Sequence, residues 1–141
     1  MSAPRKLLAG VRVLDLTNVL SGPFATLHLA LLGAEVIKIE NPVDGDLARK
    51  LGCLPELNDQ LMGTSFLAQN ANKKSVTLNL KEPEAKEIFA KLVATADVVV
   101  ENFRPGVMDR LGVGYKALSE INPRLVFCAI SGFGATGPDA F

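Results

Sequence analysis

Metal-binding and disulfide-forming residues are scarce in this chain. Its 141 residues include one histidine and two cysteines, Cys53 and Cys128, which lie far apart in the sequence. This set lacks the ligand spacing of a zinc site, so the sequence predicts no metal. Two isolated cysteines also fit a reducing compartment better than a disulfide scaffold, and we therefore expect a cytoplasmic protein.

An excess of one charge and a long apolar run are missing as well. The chain has 15 Lys and Arg against 15 Asp and Glu, which argues against a general nucleic-acid or membrane-surface binder, because either would need a basic excess. The longest nearly apolar run, residues 24–34, is shorter than the ~18–20 residues that cross a bilayer. Hydrophobic residues make up 48%, enough for the packed core of one domain over residues 1–141.

Short β-branched segments alternate with helical segments along the chain. Strands are predicted at residues 11–15, 35–40, 75–80, 97–100 and 124–130, and helices at 22–32, 83–94 and, as one or two short pieces, 107–121. This order predicts an α/β fold, a mostly parallel sheet with covering helices. The polar segment 41–63, which is punctuated by proline and glycine, is predicted to be a long loop.

The two longer predicted helices differ in pattern. The first is apolar on nearly every face, so it is expected to be buried, with Ser21 as its N-cap, Gly33 at its end and His28 packed in the core. The second is amphipathic. Its apolar face is predicted to comprise Ala85, Ile88, Phe89, Leu92 and Val93.

Ligands of open parallel sheets bind beyond the carboxyl ends of the strands, where three polar groups are predicted to meet. The first is the loop 17–23, whose helix N-terminus attracts a phosphate or carboxylate unless it is an ordinary turn. The second is Asn102, Phe103 and Arg104, which suit hydrogen bonding to adenine, stacking and phosphate pairing; the alternative is a core phenylalanine and a solvated arginine.

The third group consists of lysines. Lys73, Lys74 and Lys81 flank the predicted third strand, where they could neutralise a phosphate or form a solvated face. Asp15 and Asp139 are carboxylates near strand ends, but the sequence near them supplies no partner for catalysis.

A dinucleotide-binding enzyme is one alternative interpretation. A turn, a helix, a strand and the acidic Glu40 follow in the right order, but the turn contains only Gly22. A G-x-G-x-x-G match at residues 132–137 precedes Pro138 and no predicted helix, so it lacks the context that this motif requires.

Five ordered segments carry a resemblance to a known family. They are GVRVLDLT (10–17) with SGP (21–23), LGAEVIKIE (32–40), NKKS (72–75), VENFRPG (100–106), and INPR (121–124) with GFGATGP (132–138). Their order and spacing resemble the class III CoA-transferases of the CaiB/BaiF type, which include formyl-CoA transferase. The resemblance covers essentially the whole chain.

The resemblance implies a Rossmann-like, CoA-binding large domain. Residues 1–141 would be its incomplete N-terminal portion, without the catalytic region and the small domain. The implied contacts to the CoA nucleotide are Leu20, Ser21, Leu78, Asn79, Leu80, Lys81, Asn102, Phe103, Arg104 and Arg110. Asn41 departs from the pattern, because formyl-CoA transferase has an arginine there, and Lys73 or Lys74 is the candidate replacement.

The implied activity is transfer of CoA between an acyl-CoA and a small carboxylic acid through an aspartyl-CoA thioester. The nucleophilic aspartate is expected beyond Phe141, so the chain alone is predicted to be inactive, and the full-length protein is expected to form an interlocked homodimer. Two alternatives stay open. One is α-methylacyl-CoA racemase, whose catalytic histidine is not matched by His28, and the other is a non-catalytic CoA- or nucleotide-binding module.

Overall fold

The strands form one parallel sheet. The structure, a computed structural model, describes residues 6–140, so the ends of the predicted domain lie outside the described residues. The strands are β1 (Arg12–Asp15), β2 (Glu35–Glu40), β3 (Lys74–Thr77), β4 (Val98–Glu101) and β5 (Val126–Ala129). They lie in the order β3-β2-β1-β4-β5, and every neighbouring pair is parallel. The predicted α/β fold is confirmed.

Two predicted strands are shorter than expected by more than one residue. The strand predicted at 124–130 is reduced to β5 over Val126–Ala129, and the other difference lies in β3. Residues 75–80 were predicted to be extended, whereas β3 ends at Thr77. Its one neighbour among the described strands, β2, ends at Glu40, which is paired with Thr77 and whose carbonyl accepts a last hydrogen bond from Leu78 N at 2.9 Å. Beyond that point the chain has no strand to pair with and turns into the core through Leu78 and Leu80.

Helices join the strands. They are α1 (Ser21–Leu31), a 3₁₀ helix (Leu47–Lys50), α2 (Pro55–Asp59), α3 (Thr64–Asn70), α4 (Pro83–Val93), α5 (Val107–Arg110) and α6 (Tyr115–Ile121). The prediction of a long loop at 41–63 is therefore wrong, and α3 was not predicted. Local caps build these short helices without a long apolar stripe: Asp46 accepts a hydrogen bond from Ala48 N, and Pro55 occupies the first turn of α2. No helix within the described residues has the length and apolar character needed to span a bilayer.

The two faces of the sheet differ in chemistry, because successive side chains of a strand point to opposite faces. On one face Leu14 and Val99 pack against Phe89 of α4 in the larger core cluster. On the other face Val13 and Val36 pack beneath α1 in a smaller cluster. The buried residues that follow on this second face, towards the carboxyl ends, are charged: Asp15, Lys38 and Glu40.

The predicted burial of α1 on nearly every face is wrong. Its buried residues are Gly22, Pro23, Thr26, Leu27 and Ala30. Phe24 and Leu31 are 54% and 60% exposed, because the sheet covers only one side of the helix. His28 is exposed as well, so its predicted core role is also wrong. Its Nδ1 lies 2.9 Å from Phe24 O, and the two rings are in tilted contact with centroids 4.4 Å apart.

The glycine that stops α1 was predicted correctly, but the N-cap of this helix was not. Leu20, not Ser21, occupies the N-cap position, and no side chain caps this end. Ser21 is already the first helical residue, so its predicted capping role is wrong. At the other end Gly33 has a positive φ of 106° and donates its N–H to Ala30 O at 3.1 Å, which confirms the glycine stop.

Candidate functional site

The sheet contains a point where the direction of winding reverses. Starting from β1, the chain adds β2 and β3 on one side and then returns to add β4 and β5 on the other. The loops that follow β1 and β4 therefore diverge, and a crevice opens between them at the carboxyl edge of the sheet. In open parallel sheets this is the position where ligands bind.

The first cleft at this edge has a volume of about 260 Å³. Residues of the turn after β3 form one wall: Leu78, Asn79, Leu80 and Lys81. Phe103 forms part of the opposite wall, and Asn41 also lines the cleft. The two leucines are buried and Lys81 is exposed, so the cleft combines an apolar lining with a cation at its edge.

A second cleft of about 420 Å³ lies beside the first, between the loops after β1 and β4. It is lined by Asn18, Val19, Leu20, Ser21, Asn102 and Phe103. Phe103 lines both clefts and packs against the larger core cluster, so it serves both as a core residue and as a wall of the site.

The two predicted arginines lie in different places. Arg104 is exposed and lines a hollow that it shares with Ser21 and Asn102, next to the second cleft. Arg110 is the exposed last residue of α5 and does not line the two clefts or this hollow. The structure therefore brings nine of the ten predicted residues to the two clefts and this hollow. Arg110 does not line them, although its guanidinium lies beside Gly106, in the loop that carries Arg104.

Asn102 joins the two loops that form the crevice. Its Oδ1 accepts a hydrogen bond from Asn18 N at 2.8 Å, and its Nδ2 donates to Asn18 O at 2.9 Å. The oxygen and the nitrogen of the Asn102 side-chain amide thus both bind the backbone of Asn18, across the point where the winding reverses. The geometry gives Asn102 a cross-linking role, and a contact between Asn102 and a ligand stays a prediction.

Lys73 does not face the crevice. Its side chain is only 2% exposed, and its Nζ binds Asp15 Oδ2 at 2.9 Å as well as Thr26 Oγ1 at 2.8 Å. Burial lowers the pKa of Lys73, although the Asp15 carboxylate opposes this effect. Neither predicted role of Lys73 is correct, since its side chain is buried and is held by Asp15. Lys73 is therefore the partner of Asp15, which the sequence near Asp15 did not predict.

Lys74 cannot take the place of the missing arginine either. Its exposed side chain binds Glu35, the first residue of β2, at the opposite end of the sheet from the clefts. Asn41 therefore has no compensating cation from residues 73–74, because Lys73 is buried and Lys74 points to the amino edge. Lys81 and Arg104 are the candidate cations that remain near the clefts.

Two further ion pairs, which sequence reasoning missed, hold the segment 41–63 against the sheet. Lys38 Nζ lies 2.9 Å from Asp46 Oδ2, and both side chains are almost fully buried. Arg49 binds Glu40 through two hydrogen bonds of 2.6 and 2.8 Å. The alternation of side chains along β2 could have predicted these pairs. It places Lys38 and Glu40 on the face that α1 covers, and buried charges there require partners.

The carboxylates at the ends of β2 and β4 ionise differently. Burial raises the pKa of Glu40, but hydrogen bonds from Arg49, Asp46 N and Ser75 outweigh it and lower the pKa to about 2. Burial raises the pKa of Glu101, and the hydrogen bond from Phe103 N only partly opposes it. Among residues 6–140, no group of three His, Cys, Asp or Glu side chains is placed to hold a metal ion.

Comparison with known proteins identifies the family. A sequence model described as CoA-transferase family III matches residues 8–141. The chain belongs to CoA-transferase family III. This confirms the family resemblance carried by the five ordered segments.

Characterised members of CoA-transferase family III are similar to this chain over nearly all its length. The acetyl-CoA:oxalate CoA-transferase of Acetobacter aceti is 51% identical over 135 residues, which cover 96% of this chain and 34% of that protein. The mouse succinyl-CoA:glutarate CoA-transferase is 49% identical over 133 residues, covering 94% and 30%. The chain thus spans about a third of the length of these relatives.

A solved structure supports the same family assignment. The crystal structure of a CAIB/BAIF family protein from Brucella suis superposes with a TM-score of 0.87 and 39% sequence identity. The superposition covers 97% of this chain and 36% of that one. The parallel sheet described above is therefore the CaiB/BaiF arrangement seen in that family III structure.

Proposed function

We propose that this chain supplies the part of a class III CoA-transferase that binds the nucleotide end of coenzyme A. The observation that supports the proposal is the pair of adjoining clefts at the reversal point of the sheet, which share Phe103 as a common wall. Leu78 and Leu80 offer an apolar lining for a flat base, and the exposed Lys81 and Arg104 offer cations for phosphates.

The proposed reaction transfers CoA from an acyl-CoA thioester to a small carboxylic acid. An aspartate carboxylate attacks the thioester, forms a mixed anhydride and displaces the CoA thiolate. The thiolate then attacks the aspartyl carbonyl of the anhydride, which gives an aspartyl-CoA thioester and releases the donor carboxylate. The acceptor carboxylate subsequently takes the CoA by the same two steps in reverse order. Nucleophilic catalysis of this kind divides one difficult transfer into easier covalent steps.

We place the nucleophilic aspartate beyond Phe141, in the full-length protein. None of the carboxylates in this chain matches the family nucleophile. Glu40, which lines the first cleft, is bound by Arg49, and Asp15 is fully buried in its pair with Lys73. The 141-residue chain alone is accordingly proposed to be inactive. The proposed active assembly is an interlocked homodimer of the full-length protein.

A titration with CoA tests the binding proposal. Arg104→Ala is expected to weaken CoA binding about tenfold or more, because a charged hydrogen bond to phosphate contributes ~1.5–3 kcal/mol. Lys81→Ala is expected to have a smaller effect of the same sign. Lys116→Ala, which removes an exposed charge from α6, is the control and should leave the affinity unchanged. Equal affinities for all four proteins would contradict the proposed site.

Isotope exchange distinguishes transfer from the alternatives. Full-length protein is incubated with an acyl-CoA and labelled CoA, and incorporation of label into the thioester is measured. Exchange by the full-length protein supports the covalent mechanism. Loss of the α-proton without exchange would instead indicate racemase chemistry, and exchange by the 141-residue chain alone would contradict its proposed inactivity.

A further inference from the structure

The turn that lines the second cleft has a strained backbone. Val19 has a positive φ of 69°, and Leu20 N donates to Asn18 O at 3.1 Å across it. A three-residue turn with a positive central φ is rare and strained, and a β-branched residue is poorly suited to this region. Such a conformation persists only where the surrounding structure fixes it.

Buried side chains from other segments hold this turn on both sides of its strained residue. Val19 N donates to Asp46 Oδ1 at 3.0 Å, and Thr17 O accepts from Lys38 Nζ at 2.7 Å. Asn18, between them, is bound at both its N–H and its carbonyl by the Asn102 amide described above. The backbone is therefore anchored at three successive residues, while the Val19 side chain is 38% exposed at the cleft.

The anchors Lys38 and Asp46 form an ion pair of their own beneath the turn. Their charged atoms are 2.9 Å apart, and their side chains are 1% and 0% exposed. Within residues 6–140, Asp46 Oδ2 makes no hydrogen bond and faces Lys38 as an ion pair, while Oδ1 accepts from Val19 N and Ala48 N. A buried ion pair contributes little net stability, because the cost of desolvating the two charges offsets much of their attraction. The position of this pair beneath the turn therefore points to a role other than stabilising the fold.

We propose that Asp46, supported by Lys38, is a positioning residue for the coenzyme A cleft. It holds the Val19 peptide in its strained turn and thereby places Leu20 and Ser21 at the edge where the nucleotide binds. The inference rests on the function proposed above, since coenzyme A is the ligand that meets this turn. Asp46 itself touches no ligand in this scheme, and it acts through Val19 N.

Amide hydrogen exchange tests the anchor without any ligand. In Asp46→Ala, Val19 N–H loses its acceptor, and its exchange is expected to accelerate about tenfold or more. Phe89→Ala is the control for a general loss of stability, because Phe89 is fully buried in the core cluster on the face of the sheet opposite Asp46. Exchange at Val19 that is unchanged in Asp46→Ala, or equally accelerated in Phe89→Ala, would overturn the inference.

A substitution at Val19 separates positioning from general stability. Glycine adopts a positive φ without strain, so Val19→Gly should make the turn less dependent on its anchor. Asp46→Ala is expected to weaken CoA binding about tenfold in the protein with Val19, but less than about threefold in the Val19→Gly background. An equal loss in both backgrounds would show that Asp46 only stabilises the fold.

A replacement variant and the binding of CoA by the unsubstituted protein complete the test. Should Asp46→Ala not fold, Lys38→Met combined with Asp46→Leu replaces it, because that pair of changes removes the anchor without leaving an unpaired charge in the core. If the unsubstituted protein binds no CoA, both the proposed function and the positioning role fail. If it binds CoA and the anchor variants change neither exchange nor affinity, the positioning role alone fails.

Discussion

Glu40 shows how one residue at the end of a strand can link three segments of the chain. Its carboxylate accepts hydrogen bonds from Arg49, from Asp46 N and from Ser75 Oγ. Together these contacts outweigh the cost of burial and lower the pKa of Glu40 from 4.5 to about 2. The ionised form is therefore favoured in the folded protein relative to the unfolded chain.

Glu40→Gln is expected to flatten the acid side of the stability profile. Because the folded pKa lies below the unfolded one, Glu40 stabilises the fold above pH 4.5, and this contribution is lost as the pH falls towards 2. The unsubstituted protein should therefore lose roughly 2–3 kcal/mol more than Glu40→Gln between about pH 5 and pH 2.

The measurement is urea unfolding at a series of pH values. The exposed Glu87→Gln serves as the control and should keep the profile of the unsubstituted protein. Glu101 has its pKa raised, so its effect has the opposite sign and appears as stability lost when the pH rises above 4.5. If the free energy of unfolding falls equally at acid pH in Glu40→Gln and in the unsubstituted protein, the contacts around Glu40 do not stabilise its charge.

At the scale of single helices, α1 and α4 show how well a helical sequence pattern predicts which side chains are buried. The amphipathic pattern of α4 predicted an apolar face, and Ala85, Phe89 and Val93 are indeed buried. Ile88 was assigned to the same face but is 46% exposed, because it lies at the border of the stripe where the sheet no longer covers the helix. Apolar side chains of α1 are exposed for a similar reason.

Neighbouring residues of α4 provide a matched pair of substitutions. Phe89→Ala is expected to lower the free energy of unfolding by about 3–5 kcal/mol, because Phe89 is fully buried between the helix and the sheet. Ile88→Ala, at the exposed border, should cost less than about 1.5 kcal/mol. Chemical denaturation of both variants checks this, and a similar loss in both would contradict the described packing of α4.

At the scale of the whole molecule, the two edges of the sheet differ. β3 at one edge is short and carries the exposed Lys74, which discourages pairing with another strand. β5 at the other edge pairs only with β4 among the described strands, and its exposed residues include Val126 and Cys128. Phe133 beyond it is 77% exposed, so this side of the molecule presents apolar surface around a strand whose outer edge pairs with none of the described strands.

The 141-residue chain is accordingly expected to self-associate through the β5 edge. Val126 is 59% exposed, and Val126→Lys should shift the chain towards monomer, because an edge lysine opposes strand pairing. Val43→Lys adds the same charge at an exposed site in the segment after β2, away from β5, and should leave association unchanged. Sedimentation velocity measures all three proteins. A monomeric parent, or equal effects of both lysines, would contradict this expectation.

Much of the fold followed from patterns between residues close in sequence. Strand periodicity gave β2 over residues 35–40 without error, and the proline and apolar stripe of α4 gave its first residue and its face. The turns that follow the strands were identified because parallel strands bring their carboxyl ends to one edge. The short helices between residues 41 and 71 were missed, because local caps and long-range ion pairs build them rather than an apolar period.

The parallel sheet, the order of its elements and the edge at which a ligand is expected to bind could all be predicted from sequence, because they depend on hydrophobic period and on turn residues. Which charged side chains pair with one another inside the protein depends instead on contacts between distant parts of the chain. Lys73 reaches Asp15 across 58 positions, and Asn102 reaches Asn18 across 84. The local sequence pattern is the same for a lysine that neutralises a buried carboxylate and for a lysine that binds a phosphate. The two differ only in the groups that the fold places beside them.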